Sequence, residues 1–181
     1  MATLPAPVPT IGGTAPARPT EAWVRFCQQQ PRECQVNPAE PALITLTPEI
    51  WQTLITANVH VNSTIMSRSD MAHWGVEDRW DYPDDGFGDC EDYQLLKRRL
   101  LVQAGLPRRA MRMTVVIGDG GTGHAVMIAR TDRGDFVLDN KRDAVLPWTE
   151  TGYIYVKQEG VDGFAWASLG GRVSPVPTAN R

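Results

Sequence analysis

No apolar run in the 181-residue chain approaches the roughly 20 residues that a membrane-spanning helix needs. Positive charge is not in excess either. Lys and Arg number 18 against 21 Asp and Glu, so no overall basic field would gather nucleic acid or anionic lipid. Histidine is scarce, and His60, His73 and His124 form no HxxxH spacing; the cysteines form no CxxC. The local spacings of the common zinc sites are thereby absent, which weakens a metal-hydrolase reading. No internal repeat is visible.

What is present is an ordinary globular composition, 42% hydrophobic and 22% charged, in a chain long enough for one domain with a real core. Residues 1–20 are rich in Pro, Ala, Thr and Gly and lack the apolar stretch of a secretory signal. They are expected to form a flexible leader, since little apolar side chain is available to offset ordering entropy. The domain is then expected over residues 21–170, followed by a flexible tail at 171–181.

Cysteine is as rare as histidine, with three of each. Cys27 and Cys34 are separated by a short stretch containing Pro31, which can turn and bring them within disulfide range. Two separate thiols in a reducing compartment are the alternative. If the pair is bridged, the compartment is oxidising and Cys90 is an odd thiol that calls for an explanation.

The order of elements points to an α+β fold with helices first and an antiparallel sheet after them. Residues 21–36 read as a short helix or turn broken at Pro31. Thr47, Pro48 and Glu49 mark the start of a longer helix. Residues 69–88 carry Trp74, Trp80, Tyr82 and Phe87 without a helical or strand period, and read as an ordered loop. A helix is expected from Cys90 to Gln103, with Tyr93, Leu96 and Leu100 on its apolar face and Lys97, Arg98 and Arg99 toward its C-terminal end. Strand-like runs follow at 111–117, 124–130, 136–140 and 153–157.

Three residues on these elements make a chemical constellation. Cys90 begins a helix, whose N–H groups and partial positive charge favour a thiolate and can hold an oxyanion. The neighbouring Asp89, Glu91 and Asp92 work against a thiolate. His124 opens the second strand and Asp139 lies inside the third. If those strands pair so that facing residue numbers add to about 265, His124 and Asp139 are diagonal neighbours on one face. A slip of one residue would separate them. In the paired register Cys90 can act as nucleophile, His124 as base and Asp139 as the group that orients the imidazole.

The blocks Gly88-Asp89-Cys90-Glu91-Asp92-Tyr93, His124-Ala125-Val126 and Leu138-Asp139-Asn140 resemble the bacterial transglutaminase-like cysteine proteinase family. The stretch from Trp74 to Trp80, Val61-Asn62 and the Cys27/Cys34 pair extend the likeness from about Trp23 to Tyr155. The resemblance implies a papain/transglutaminase-like core and Cys90, His124 and Asp139 as catalytic residues. It also implies an exported, periplasmic protein, with a protein substrate such as a surface adhesin and a membrane receptor that sequesters the enzyme. Finally, it implies Ca²⁺ bound by Asp89, Glu91 and Asp92, whose hard oxygens suit that ion. Neutralising them would remove the charge that opposes a Cys90 thiolate. Acyl transfer to an amine by the same triad, or a non-catalytic calcium- or partner-binding module, are the competing expectations.

Overall fold

The long helix begins where Thr47 and Pro48 predict. The Thr47 hydroxyl accepts from the Ile50 N–H at 3.2 Å, and Pro48 fills the first helical position, where no donor is needed. In the computed structural model, which describes residues 2–161 and 165–170, the helices are α1 (Glu21–Gln29), α2 (Pro31–Cys34), α3 (Pro48–Thr64), α4 (Asp70–Trp74) and α5 (Cys90–Gln103). The strands are β1 (Ala15–Ala17), β2 (Met66–Ser67), β3 (Phe87–Gly88), β4 (Met111–Ile117), β5 (Gly123–Thr131), β6 (Gly134–Asp139), β7 (Arg142–Pro147), β8 (Ile154–Glu159) and β9 (Trp166–Ser168). Seven of them form one sheet in the order β1-β9-β8-β4-β5-β6-β7, antiparallel at every step, while β2 and β3 form a small parallel pair. This is the expected α+β plan.

The central strands are buried on both faces, so their side chains divide by alternation. Met127, Ala129, Phe136 and Leu138 pack with Leu54 of α3 and Leu101 of α5 on the helical face. Val126, Ile128 and Val137 point the other way and gather with Val116, Tyr155 and Ile11. A further cluster joins Trp23 and Phe26 of α1 to Trp80, Met113 and Trp166. Cys27 and Cys34 are disulfide-bonded across the α1–α2 turn.

Residues 2–20 do not lead away from the fold as a flexible leader would. Ile11 is buried, its N–H donates to Asp135 Oδ2 at 2.8 Å, and the Val8 N–H donates to the Arg133 carbonyl at 2.8 Å. The outer face of β5 and β6 is apolar and needs this cover. Gly134 makes the approach feasible: its φ is +106°, and a Cβ there would lie 2.2 Å from the Val8 carbonyl oxygen. The tail expected at 171–181 lies outside the described residues.

Two more local expectations change. The stretch 69–88 contains α4, begun by the Ser69 hydroxyl accepting from the Ala72 N–H and ended by Gly75 at φ +71°. On α5 the fully buried leucines are Leu95 and Leu101, while Leu96 and Leu100 are half-buried. Lys97 and Arg98 are buried too and form no solvated cationic end. The helix is wrapped by protein on nearly all sides, so a one-stripe reading of its sequence could not hold.

Candidate active site

The β5–β6 hairpin turns at Asp132 and Arg133, and facing residues from Met127↔Leu138 to Thr131↔Gly134 have numbers that add to 265. That odd value puts His124 and Asp139 on one face. Their side chains meet, with His124 Nε2 2.8 Å from Asp139 Oδ1, and both residues are buried. Asp139 also accepts from the Tyr153 hydroxyl at 2.5 Å and from the Lys141 N–H at 3.0 Å. Burial alone would raise its carboxyl, but His124, then Tyr153 and the Lys141 N–H, outweigh burial and hold it at about 2. The Tyr153 ring stands edge-on to the His124 ring at 5.6 Å. Behind them, Asn62 Nδ2 donates to the Asp139 and Arg142 carbonyls and so ties α3 to the β6–β7 turn.

Cys90 comes to this hairpin from the other side of the chain. Gly88 lets the preceding loop pass close to α5, since a Cβ there would lie 2.8 Å from the Asp92 Cβ and 3.1 Å from the Pro83 Cβ. Cys90 is then the first residue of α5 and 5% exposed. Its Sγ lies 3.4 Å from the backbone N of Ala125, the residue after His124, and 3.0 Å from Glu91 Oε2. One turn along, Gln94 Nε2 donates to the Ala125 carbonyl at 3.4 Å. The N-terminus of α5 is therefore docked on β5 at the position next to His124.

The acids beside Cys90 form a buried cluster. The Asp92 oxygens accept from the Asp81 N–H at 2.8 Å and the Asp89 N–H at 3.3 Å. Asp89 Oδ2 accepts from the Asp70 N–H at 3.1 Å, and Asp70 Oδ2 accepts from the Arg79 N–H. Carboxylate oxygens of Asp70, Asp78 and Glu91 lie within 4.8 Å of one another, as do those of Asp70, Asp89 and Asp92. Asp89 Oδ1 and Glu91 Oε1 have no hydrogen-bond partner among the described residues. Burial, with added like-charge repulsion, raises these carboxyls: Asp70 to about 6, Asp89 to about 7, and Glu91 and Asp92 well above their ordinary range.

Such a set of hard, close and partly unpartnered oxygens fits Ca²⁺. Asp89, Glu91 and Asp92 were expected in it, and Asp92 converges with Asp70 and Asp89 while both its oxygens already accept backbone N–H groups. Asp70 and Asp78 were not anticipated. The density of acids between residues 70 and 92 was the available signal, but only the fold shows which of them converge. Tyr153, Gln94 and Asn62 carried no chemical signature in the sequence beyond the neighbouring motifs. Trp80 is buried in the core, whereas Trp74 is 42% exposed and lies under the Arg79 guanidinium at 4.2 Å.

The sequence matches the family model of the bacterial transglutaminase-like cysteine proteinases over residues 13–173. The chain belongs to this family. Its members are cysteine peptidases, which makes the protein a hydrolase. Among solved structures, Legionella pneumophila LapG is similar at 23% identity, with 67% of this chain and 71% of that one covered and a TM-score of 0.56. The calcium-bound form of the same LapG aligns over 88% of this chain and 86% of its own at 20% identity, with a TM-score of 0.58. At these identities the likeness is one of fold, and it places this domain in the transglutaminase-like architecture. No curated protein matches the sequence.

Proposed function

We propose that the protein is a calcium-dependent cysteine endopeptidase of the periplasm that cuts an exported or surface protein, with Cys90, His124 and Asp139 as its catalytic triad. The His124–Asp139 hydrogen bond at 2.8 Å, beside the strand position that receives Cys90 Sγ, carries this reading. With Nε2 committed to Asp139, His124 has Nδ1 left to take the thiol proton and later give it to the leaving amine. The thiolate attacks the scissile carbonyl, the C–N bond breaks, and water resolves the thioester to a carboxylic acid. Backbone N–H groups at the start of α5 are the candidate oxyanion donors.

The position of Glu91 Oε2, 3.0 Å from Cys90 Sγ, gives calcium a role. An anionic carboxylate there disfavours the thiolate, and a bound Ca²⁺ supplies the positive charge that removes this opposition. Asp89 and Glu91, joined by Asp70 and Asp78, would hold the ion, with Asp92 fixing the loop around it. One of the solved LapG structures is calcium-bound and another is EGTA-treated, which supports the same assignment. The disulfide between Cys27 and Cys34 suits an oxidising compartment. A surface adhesin as substrate and a membrane receptor as regulator follow from the family resemblance.

A peptide library incubated with the protein, calcium and an isotopically labelled amine tests the reaction. New C-termini bearing carboxylic acids, absent with the C90A variant, are expected. Labelled amine at those termini would assign acyl transfer instead. No product of either kind would favour the non-catalytic module.

A further inference from the structure

On the side of the domain that carries the disulfide turn, a cavity of about 20 Å³ lies between α2, the start of β4 and the end of β8. It is partly open to solvent, so an occupant is not confined to the roughly 10–15 Å³ that one water needs. Its charged walls are Arg98, Arg108, Arg109 and Arg112 against Glu33 and Glu159. Arg98 and Arg112 are 2% and 5% exposed.

The two acids are already engaged. Glu159 accepts from Trp23 Nε1 at 2.7 Å, from Arg98 Nη1 at 2.5 Å and from the Met113 N–H at 3.0 Å. Glu33 pairs with Arg108 at 2.8 Å. The guanidinium donors are not exhausted. Arg98 Nε and Nη2, Arg109 Nε and Arg112 Nη2 are buried and have no hydrogen-bond partner among the described residues. Beyond the walls, Arg130 and Asp135 both face Arg112 with opposite charge, and Glu40 accepts from the Arg109 backbone N–H.

Four buried donors on three cations exceed what a water, with two lone pairs, can satisfy. An oxyanion presents lone pairs enough for all four and offsets the excess positive charge, and guanidinium geometry suits it. We propose that this cavity is a binding site for an oxyanion group of the phosphate or sulfate type. The occupant would tie the disulfide-bearing α2 to β4 and β8, and would stabilise the domain without entering the peptidase chemistry.

Thermal unfolding of the full chain at fixed ionic strength, with inorganic phosphate replacing chloride, tests the site. The expected result is a saturable rise in Tm of several degrees, with R112Q shifting half-saturation at least tenfold higher in phosphate. Should R112Q fail to fold, R109Q at a half-buried position gives the same reading. A rise that never saturates and is equal in wild type and variant is the general effect of an excluded salt, and would overturn the proposal. So would a crystal grown in phosphate with only water in the cavity.

Discussion

Two buried charge clusters flank α5, and they are built on opposite terms. Around Arg98 every acid has a cation or N–H donor against it: Glu159 holds Arg98, Trp23 and the Met113 N–H, and Glu33 holds Arg108. Around Cys90 the charges are alike, with Asp70, Asp78, Asp89, Glu91 and Asp92 crowded together and the carboxyls of Asp70, Asp89, Glu91 and Asp92 raised by burial and like-charge repulsion. Acids paired with cations fix a structure, whereas acids crowded on one another carry a cost that a ligand or a chemical role explains.

The contrast can be broken at several points. Arg98→Met leaves Glu159 charged and buried without its cation, and should destabilise the fold by about 3–5 kcal/mol. Urea unfolding measures this, and turnover per folded molecule should be unchanged. Glu91→Gln on the other side should do the reverse. It should abolish the calcium response in titration calorimetry and cut calcium-stimulated peptidase activity about a hundredfold, roughly 3 kcal/mol, while leaving the metal-free fold at least as stable. If calorimetry shows unaltered calcium binding, the acidic cluster is not the metal site.

Asp139 gives a pH signature. Its folded carboxyl, at about 2, lies below the usual 3.8, so its stabilisation is present above about pH 4 and is lost as pH falls toward 2. The full effect is about 2 kcal/mol, read as the difference in unfolding free energy between pH 5 and pH 2. Asp139→Asn should flatten that part of the profile. The smallest effect is expected for Tyr153→Phe. It removes one hydrogen bond to a charged group, about 1.5 kcal/mol, and should lower kcat with little change in KM. A loss confined to KM would place Tyr153 in substrate binding instead.

Much of this site was legible in the sequence, for identifiable reasons. The Cys90 helix start follows from Gly88 and the helical run after it. The His124–Asp139 pairing follows from a hairpin whose register is set by a tight turn and an alternating pattern. Local rules reached neither the packed course of residues 2–20 nor the burial of Lys97 and Arg98. The first depends on an apolar face of β5 and β6 that only the folded sheet presents, and the second on partners far along the chain. Asp70 and Asp78 were hidden for the same reason. Acids in a loop look solvated until the loop is seen folded over Cys90.

The central claim is that His124 and Asp139 activate Cys90. With Cys27 and Cys34 bridged, Cys90 is the remaining cysteine in the chain, so alkylation by iodoacetamide followed by mass spectrometry reads it directly. The rate should be followed against pH in calcium-loaded wild type, H124A and D139N. Wild type should react with a midpoint well below the ordinary thiol value of about 8.5, and H124A should return to that value or above. Identical pH profiles for wild type and H124A would contradict the account.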